Sequence, residues 1–111
     1  MPTTNESLTT EELKQKTKEV SYALTLGVCT LRYTKLDGEV RLATGTKNWR
    51  YIPTESQSQL KEVLHEESYS KPFSSLVKYY DLGAKGWRSF HVENLDLLTI
   101  KFPEQEKQFV L

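Results

Sequence analysis

The 111-residue sequence predicts a mainly β domain: a small five-stranded antiparallel barrel with an N-terminal helix and a helical insertion between strands two and three. Three observations lead there. Alternating runs rich in β-branched and aromatic residues come in two hairpin pairs, at 24–44 and 76–92, each broken by a glycine-bearing turn. A last short run at 97–102 supplies the fifth strand. Two other stretches, 9–22 and 56–65, carry capping signals and helical spacing instead.

Residues 1–7 are polar and offer nothing to bury, so a disordered tail is expected there. Thr9 followed by Glu12 is a capping box, and Leu8 with Leu13 has the spacing of a hydrophobic staple, which starts a helix running to about Tyr22. Its apolar stripe, Leu13 and Val20, is thin, which places the helix outside the barrel or over one open end. The first strand, 24–34, and the second, 40–44, flank Asp37-Gly38, residues that tolerate the positive φ of tight hairpin turns. A loop rich in large side chains, 45–53, leads to a second capping box at Ser56 and Gln59. Leu60, Val63 and Leu64 then keep helical spacing up to His65. Turn formers fill 66–74. Leu76–Asp81 and Trp87–Val92 form the second hairpin, residues 93–96 one tight helical turn, Leu97–Phe102 the closing strand, and 103–111 a charged tail. One domain, 8–102, results, with Leu31, Tyr33, Val40 or Leu42, Val77 or Leu76, Phe90, Val92 and Ile100 expected in its core.

Fifteen acidic and fifteen basic residues cancel, so no whole-molecule field draws the chain to nucleic acid or an anionic membrane. The lone Cys29 excludes an internal disulfide and, with only His65 and His91 beside it, leaves no set of zinc ligands; no metal or cofactor is expected. The start lacks a signal peptide, and no apolar run approaches the ~18 residues of a membrane span, so a cytoplasmic protein without membrane contact is expected. Oligomeric state is not legible at this level.

The chain is expected not to be an enzyme. Cys29, His65 and His91 fall on a strand, a helix and a strand, with no carboxylate at a fixed spacing. Cys29 reads as a small core residue and His65 as a cation suited to a helix end. Gly83-Ala-Lys-Gly86 matches a GXXG loop that clamps RNA backbone, but that loop joins helices and this one joins strands, which makes it a hairpin turn.

Charge is segregated. Arg32, Lys35, Arg41, Lys47 and Arg50 outweigh Asp37 and Glu39, whereas Glu55, Glu62, Glu66 and Glu67 dominate the insertion. With aromatics among the cations, the basic half has the ingredients of a face that stacks bases and neutralises phosphates. The candidate ligand-binding residues are Arg88, Lys47, Trp49, Arg50, Trp87, His91 and Lys78. Alternation along 87–92 puts Arg88 on the inward row with Phe90 and Val92, next to the turn and so at the barrel mouth. If loop 45–53 reaches that mouth, Arg88, Lys47 and Arg50 supply anion contacts and Trp49 a stacking platform. The rival expectation is a protein–protein module, since Trp, Tyr and Arg also make protein hot spots and small barrels leave edge strands. The acidic helix 56–65 would then be the contact, a mimic of nucleic acid.

The stretch Trp87-Arg-Ser-Phe-His-Val-Glu-Asn-Leu, after Tyr79-Tyr-Asp81, resembles the end of a WYL domain, an Sm-like barrel module of bacterial regulators. Tyr33-Thr-Lys-Leu-Asp-Gly38, Arg41, Gly45-Thr-Lys-Asn48 and Ile52-Pro53 resemble short stand-alone WYL-like proteins of phages and gut bacteria, of unknown function. The resemblance implies an SH3/Sm-like barrel, a nucleic-acid or nucleotide-like ligand, and an anion contact at Arg88, which occupies the motif's first arginine. It departs at His91 and Asn94, where the regulators usually carry Arg, so the cationic pocket is thinner here. For a phage-type accessory protein, the alternative is docking on a host enzyme or defence protein to inhibit it.

Overall fold

The computed structural model describes residues 9–68 and 73–101. The tails expected at 1–7 and 103–111, Leu8 of the staple, Phe102 of the last strand and part of the 66–74 loop lie outside the described residues.

Helix α1 spans Thr10–Leu26 and opens on the expected capping box: the Thr9 hydroxyl accepts the Glu12 N–H at 3.1 Å while the Glu12 carboxylate accepts the Thr9 N–H at 2.9 Å. It runs a turn further than its spacing suggested, so Leu24 is helical rather than the start of a strand. That turn changes the helix's role. Val20, Ala23 and Leu24 are buried, and Val20 and Leu24 pack in the main core with Leu13 against them. The helix therefore builds the core instead of lying outside it, because Leu24 completes a stripe that Leu13 and Val20 only begin.

Five antiparallel strands follow: β1 (Val28–Thr34), β2 (Val40–Thr46), β3 (Leu76–Asp81), β4 (Gly86–His91) and β5 (Leu95–Lys101), in the order β4-β3-β2-β1-β5. The first four form a meander, and β5 returns to pair with β1, with a register shift between Arg32 and Tyr33. The sheet is not closed: β4 and β5 are its two edges. Gly38, at φ 92, makes the β1–β2 turn, and a single 3-10 turn at Val92–Asn94 joins β4 to β5.

The inner face carries the core: Leu31, Tyr33, Val77, Tyr79, Phe90 and Val92 are all buried, with Ile100 packed at its margin. Val77 faces in and Leu76 is exposed. On β2 the expected facing is reversed. Val40 and Leu42 point to solvent, and the inward row is Arg41, Ala43 and Gly45, opposite Tyr33, Leu31 and Cys29. A ring decides it. A Cβ on Gly45 would stand 2.2 Å from Cδ2 of Tyr79, so the inward row must be small where Tyr79 lies across it.

The insertion comprises 3-10 turns at Trp49–Tyr51 and Thr54–Ser56 and helix α2, Gln57–Ser68. Nothing between His65 and Ser68 breaks a helix, so α2 passes the expected end and His65 lies within it. Ile52 and Leu60 form a second cluster with Tyr80, Leu82 and Trp87, on the opposite side of the sheet from the core.

Candidate functional site

Phe90 stacks on Tyr33 with ring centroids 4.9 Å apart, and the Tyr33 and Tyr79 hydroxyls are hydrogen-bonded at 2.7 Å. Arg41 stands opposite Tyr33 on the neighbouring strand. The Tyr33 hydroxyl favours the charged guanidinium of Arg41, with Tyr79 and Asp81 adding to the effect at longer range. Burial, then the bond to Tyr33, pushes the Tyr79 phenol far above its ordinary value, so Tyr79 stays neutral near the cation.

Arg41 opens into a cleft of about 370 Å³ between the β1–β2 turn and the end of β4. Tyr33 and Phe90 line it with Lys35, Asp37, His91 and Asn94. Lys35 is answered there by Asp37 at 3.5 Å and Glu39 at 3.2 Å. Among the described residues no carboxylate stands within ion-pair distance of Arg41.

The wall at His91 is held from behind. The buried Ser75 hydroxyl donates to Glu93 Oε1 at 2.5 Å, which leaves it to accept from His91 Nδ1 at 3.1 Å. Burial pushes the Glu93 carboxyl up, but the Ser75 hydroxyl, the backbone and His91 outweigh it and hold its pKa below the usual value. Serine, histidine and carboxylate meet here, yet the hydroxyl is committed to Glu93 rather than offered to a substrate. The order is that of a positioning chain, not a nucleophile and its base.

The seven candidate residues do not converge. His91 lines the cleft. Arg88 lies on the inner row opposite Tyr79, as alternation implies, and its Nε bonds Asp81 Oδ2 at 3.1 Å. Asp81 is in turn fixed by the N–H groups of Gly83 and Ala84. Lys47 is buried, its Nζ donating to Ser21 of α1 at 2.6 Å, because β2 ends beneath that helix; it is removed from any surface pocket. Trp87 is packed edge-on against Tyr80 and donates its indole N–H to the Ser56 carbonyl, so it anchors the insertion. Lys78 sits opposite Ser89 in the β3–β4 ladder. Trp49 and Arg50 remain exposed, the guanidinium 5.9 Å from the indole centroid, on the insertion rather than at the cleft.

That 3-10 turn is rigidly tied. Asn48 caps it by accepting the Arg50 N–H and reaches back to the Thr25 carbonyl, while the Gln57 amide donates to the carbonyls of Trp49 and Ile52. Cys29 is fully buried, and burial pushes its thiol up to about 11. Sequence reasoning placed Arg41 in the basic half but missed it as a site residue, since its inward position follows from the reversed facing of β2. Tyr33, one residue inside the first strand's end, was the available signal. Among the described residues no cluster of His, Cys, Asp and Glu could hold a metal ion, and no helix is long and apolar enough to cross a membrane.

The sequence model of the WYL_2 family, described as an Sm-like SH3 β-barrel fold, matches residues 10–96. An uncharacterised 11.5 kDa protein of Enterobacteria phage T4, from the Gp31–cd intergenic region, is 27% identical over 103 residues, which cover 93% of this chain and 96% of that protein. No solved structure matches the chain.

Proposed function

We propose that this chain, which belongs to the WYL_2 family of Sm-like SH3 β-barrel proteins, is a non-catalytic, phage-type accessory protein that binds a nucleotide-like or nucleic-acid anion in the Arg41 cleft. The observation that carries this reading is Arg41 itself: a half-buried residue of the inward row of β2, bonded to the Tyr33 hydroxyl and facing a cleft, with no carboxylate within ion-pair distance among the described residues. A cation in that setting is matched by an incoming phosphate or carboxylate, which a guanidinium takes in bidentate geometry. His91 and Asn94, the positions at which WYL regulators resembling this chain carry arginine, line the same cleft and add donors. Leu36 and Leu76, both exposed where they line the cleft, offer apolar surface to a base or sugar.

The test is a titration of the chain with inorganic phosphate, adenosine monophosphate and a short single-stranded oligonucleotide, followed by amide chemical shifts at low and moderate salt. Shifts are expected at Arg41, Ser89, His91 and Asn94, with affinity falling as salt rises. Arg41→Gln should weaken binding about tenfold or more, the worth of a charge-assisted hydrogen bond. A wild-type chain that binds none of the three at low salt overturns the reading.

One observation favours docking on a protein partner instead: Trp49 is 61% exposed although the 3-10 turn that carries it is tied by four side-chain hydrogen bonds, the geometry of a pre-organised hot spot. Under that reading Trp49→Ala abolishes capture of the partner and leaves the cleft titration unchanged.

A further inference from the structure

We propose that the anion taken by the Arg41 cleft is a terminal phosphate monoester of a nucleoside, bound with one proton held between a phosphate oxygen and Nε2 of His91. The inference rests on the anion reading above and narrows it to one phosphate class.

The serine behind the cleft wall decides which ring nitrogen carries the hydrogen. Glu93, held below its usual pKa, is ionised near neutral pH and can only accept. The buried Ser75 hydroxyl has one proton and gives it to Glu93, so toward His91 Nδ1 it can only accept. The neutral ring therefore keeps its hydrogen on Nδ1 and leaves Nε2 as a bare lone pair. The two nitrogens point to different sides of the ring, so Nε2 is directed away from Ser75, toward the cleft that His91 lines. No hydrogen bond from a described residue reaches it. His91 thus becomes a donor to an anion only by taking up a proton.

Two unlike groups then share one cleft: Arg41 offers charge and donors, and the neutral His91 offers an acceptor. The other charged groups around the ring are Glu93 behind it and, across the cleft, Lys35 and Asp37, which pair with each other. A phosphate diester carries a single charge and only acceptor oxygens. It satisfies Arg41 but meets Nε2 lone pair to lone pair. A monoester loses its second proton near pH 6, so it either keeps a proton to give to Nε2 or arrives as a dianion, whose second charge holds a solvent proton on the ring. Both routes end in the same complex. Size agrees: about 370 Å³ lies at the small end of the roughly 300–1,000 Å³ of ligand pockets, room for one nucleotide rather than a length of strand.

Calorimetric titration of the full chain at pH 7.5 tests it, using adenosine monophosphate and its cyclic 3′,5′ diester in buffers of different ionisation enthalpy. The monoester should bind about tenfold or more tighter than the diester and take up about one proton. Inorganic phosphate, which lacks the nucleoside, should bind more weakly than the monoester. A 5′-phosphorylated oligonucleotide that outbinds the same strand without its phosphate assigns the site to strand ends; a monoester that binds where neither strand does assigns it to free nucleotides. His91→Gln, whose amide can turn a donor to either ligand, should bring the two affinities together and abolish the proton uptake. Ser75→Ala frees the ring to carry its hydrogen on Nε2, so the diester should bind it more tightly than it binds wild type; His91→Gln carries the test alone if Ser75→Ala does not fold. If neither adenosine ligand binds, the anion reading falls and this inference with it. If both bind and Arg41→Gln weakens both, then equal affinities, binding without proton uptake, inorganic phosphate matching the monoester, or a folded Ser75→Ala with no gain for the diester overturns this inference alone.

Discussion

The two halves of the sheet's outer face are built from similar side chains and meet opposite fates. On β3 and β4, Tyr80 and Trp87 are packed beneath Ile52 and Leu60 of the insertion. On β2 and β5, Leu42, Val40 and Leu97 stand in water. The difference lies not in the strands but in what the chain carries between them: the segment after β2 turns back over β3 and β4, and among the described residues no segment packs over the other half. An apolar side chain on a strand is therefore only a candidate for burial, and the intervening segment decides which half becomes core.

The largest effect that would break this comparison belongs to neither half but to the inner face they share. Tyr79→Ala removes a fully buried ring and its bond to Tyr33, and should cost about 3–5 kcal/mol, measured by urea unfolding. A cost near that of a surface change would mean that the inner core does not hold the two halves together.

Leu60→Ala sharpens the contrast, since Leu60 is 6% exposed on the covered side; about 2–4 kcal/mol should be lost, with faster amide exchange in α2. Next in size is the Ser75→Ala change behind the cleft wall, at about 1 kcal/mol near neutral pH for lost hydrogen bonds. Because Glu93 is held below its usual pKa, its contribution is present above that usual value of 4.5 and is lost as pH falls through the lower folded-state value. The gap between wild type and Ser75→Ala should therefore narrow in acid, read from thermal melts at pH 7 and pH 3. The smallest effect is on the bare half: Leu42→Thr should stay within about 0.5 kcal/mol of wild type in dilute solution. If Leu42→Thr costs as much as Leu60→Ala, the two halves are not different at all.

Local chemistry made several elements legible without any structure. The Thr9–Glu12 capping box, the Asp37-Gly38 turn and the alternation of 76–81 and 87–92 each depend on residues a few positions apart, and each stands where those residues imply. Arg88 fell on the inward row for the same reason. What failed depended on distant partners. Val40, Leu42 and Thr44 alternate as cleanly as Arg41, Ala43 and Gly45, and nothing within β2 says which row faces in; the Tyr79 ring, more than thirty residues on, makes that choice by filling the space over Gly45. Lys47 reads as a surface cation until β2 is seen to end under α1, where Ser21 receives it. The cleft was hidden for the same reason, since Arg41 enters it only after β2 has turned its small side chains inward. By itself the sequence determined the Thr9–Glu12 cap, the Asp37-Gly38 turn and the alternation of the second hairpin, because those are settled by hydrogen bonds and sterics within a few residues; the capping box expected at Ser56 and Gln59 is not formed. The tertiary structure alone decided which face of β2 is buried and which cation is left for a ligand, because those depend on rings and helices brought in from far along the chain.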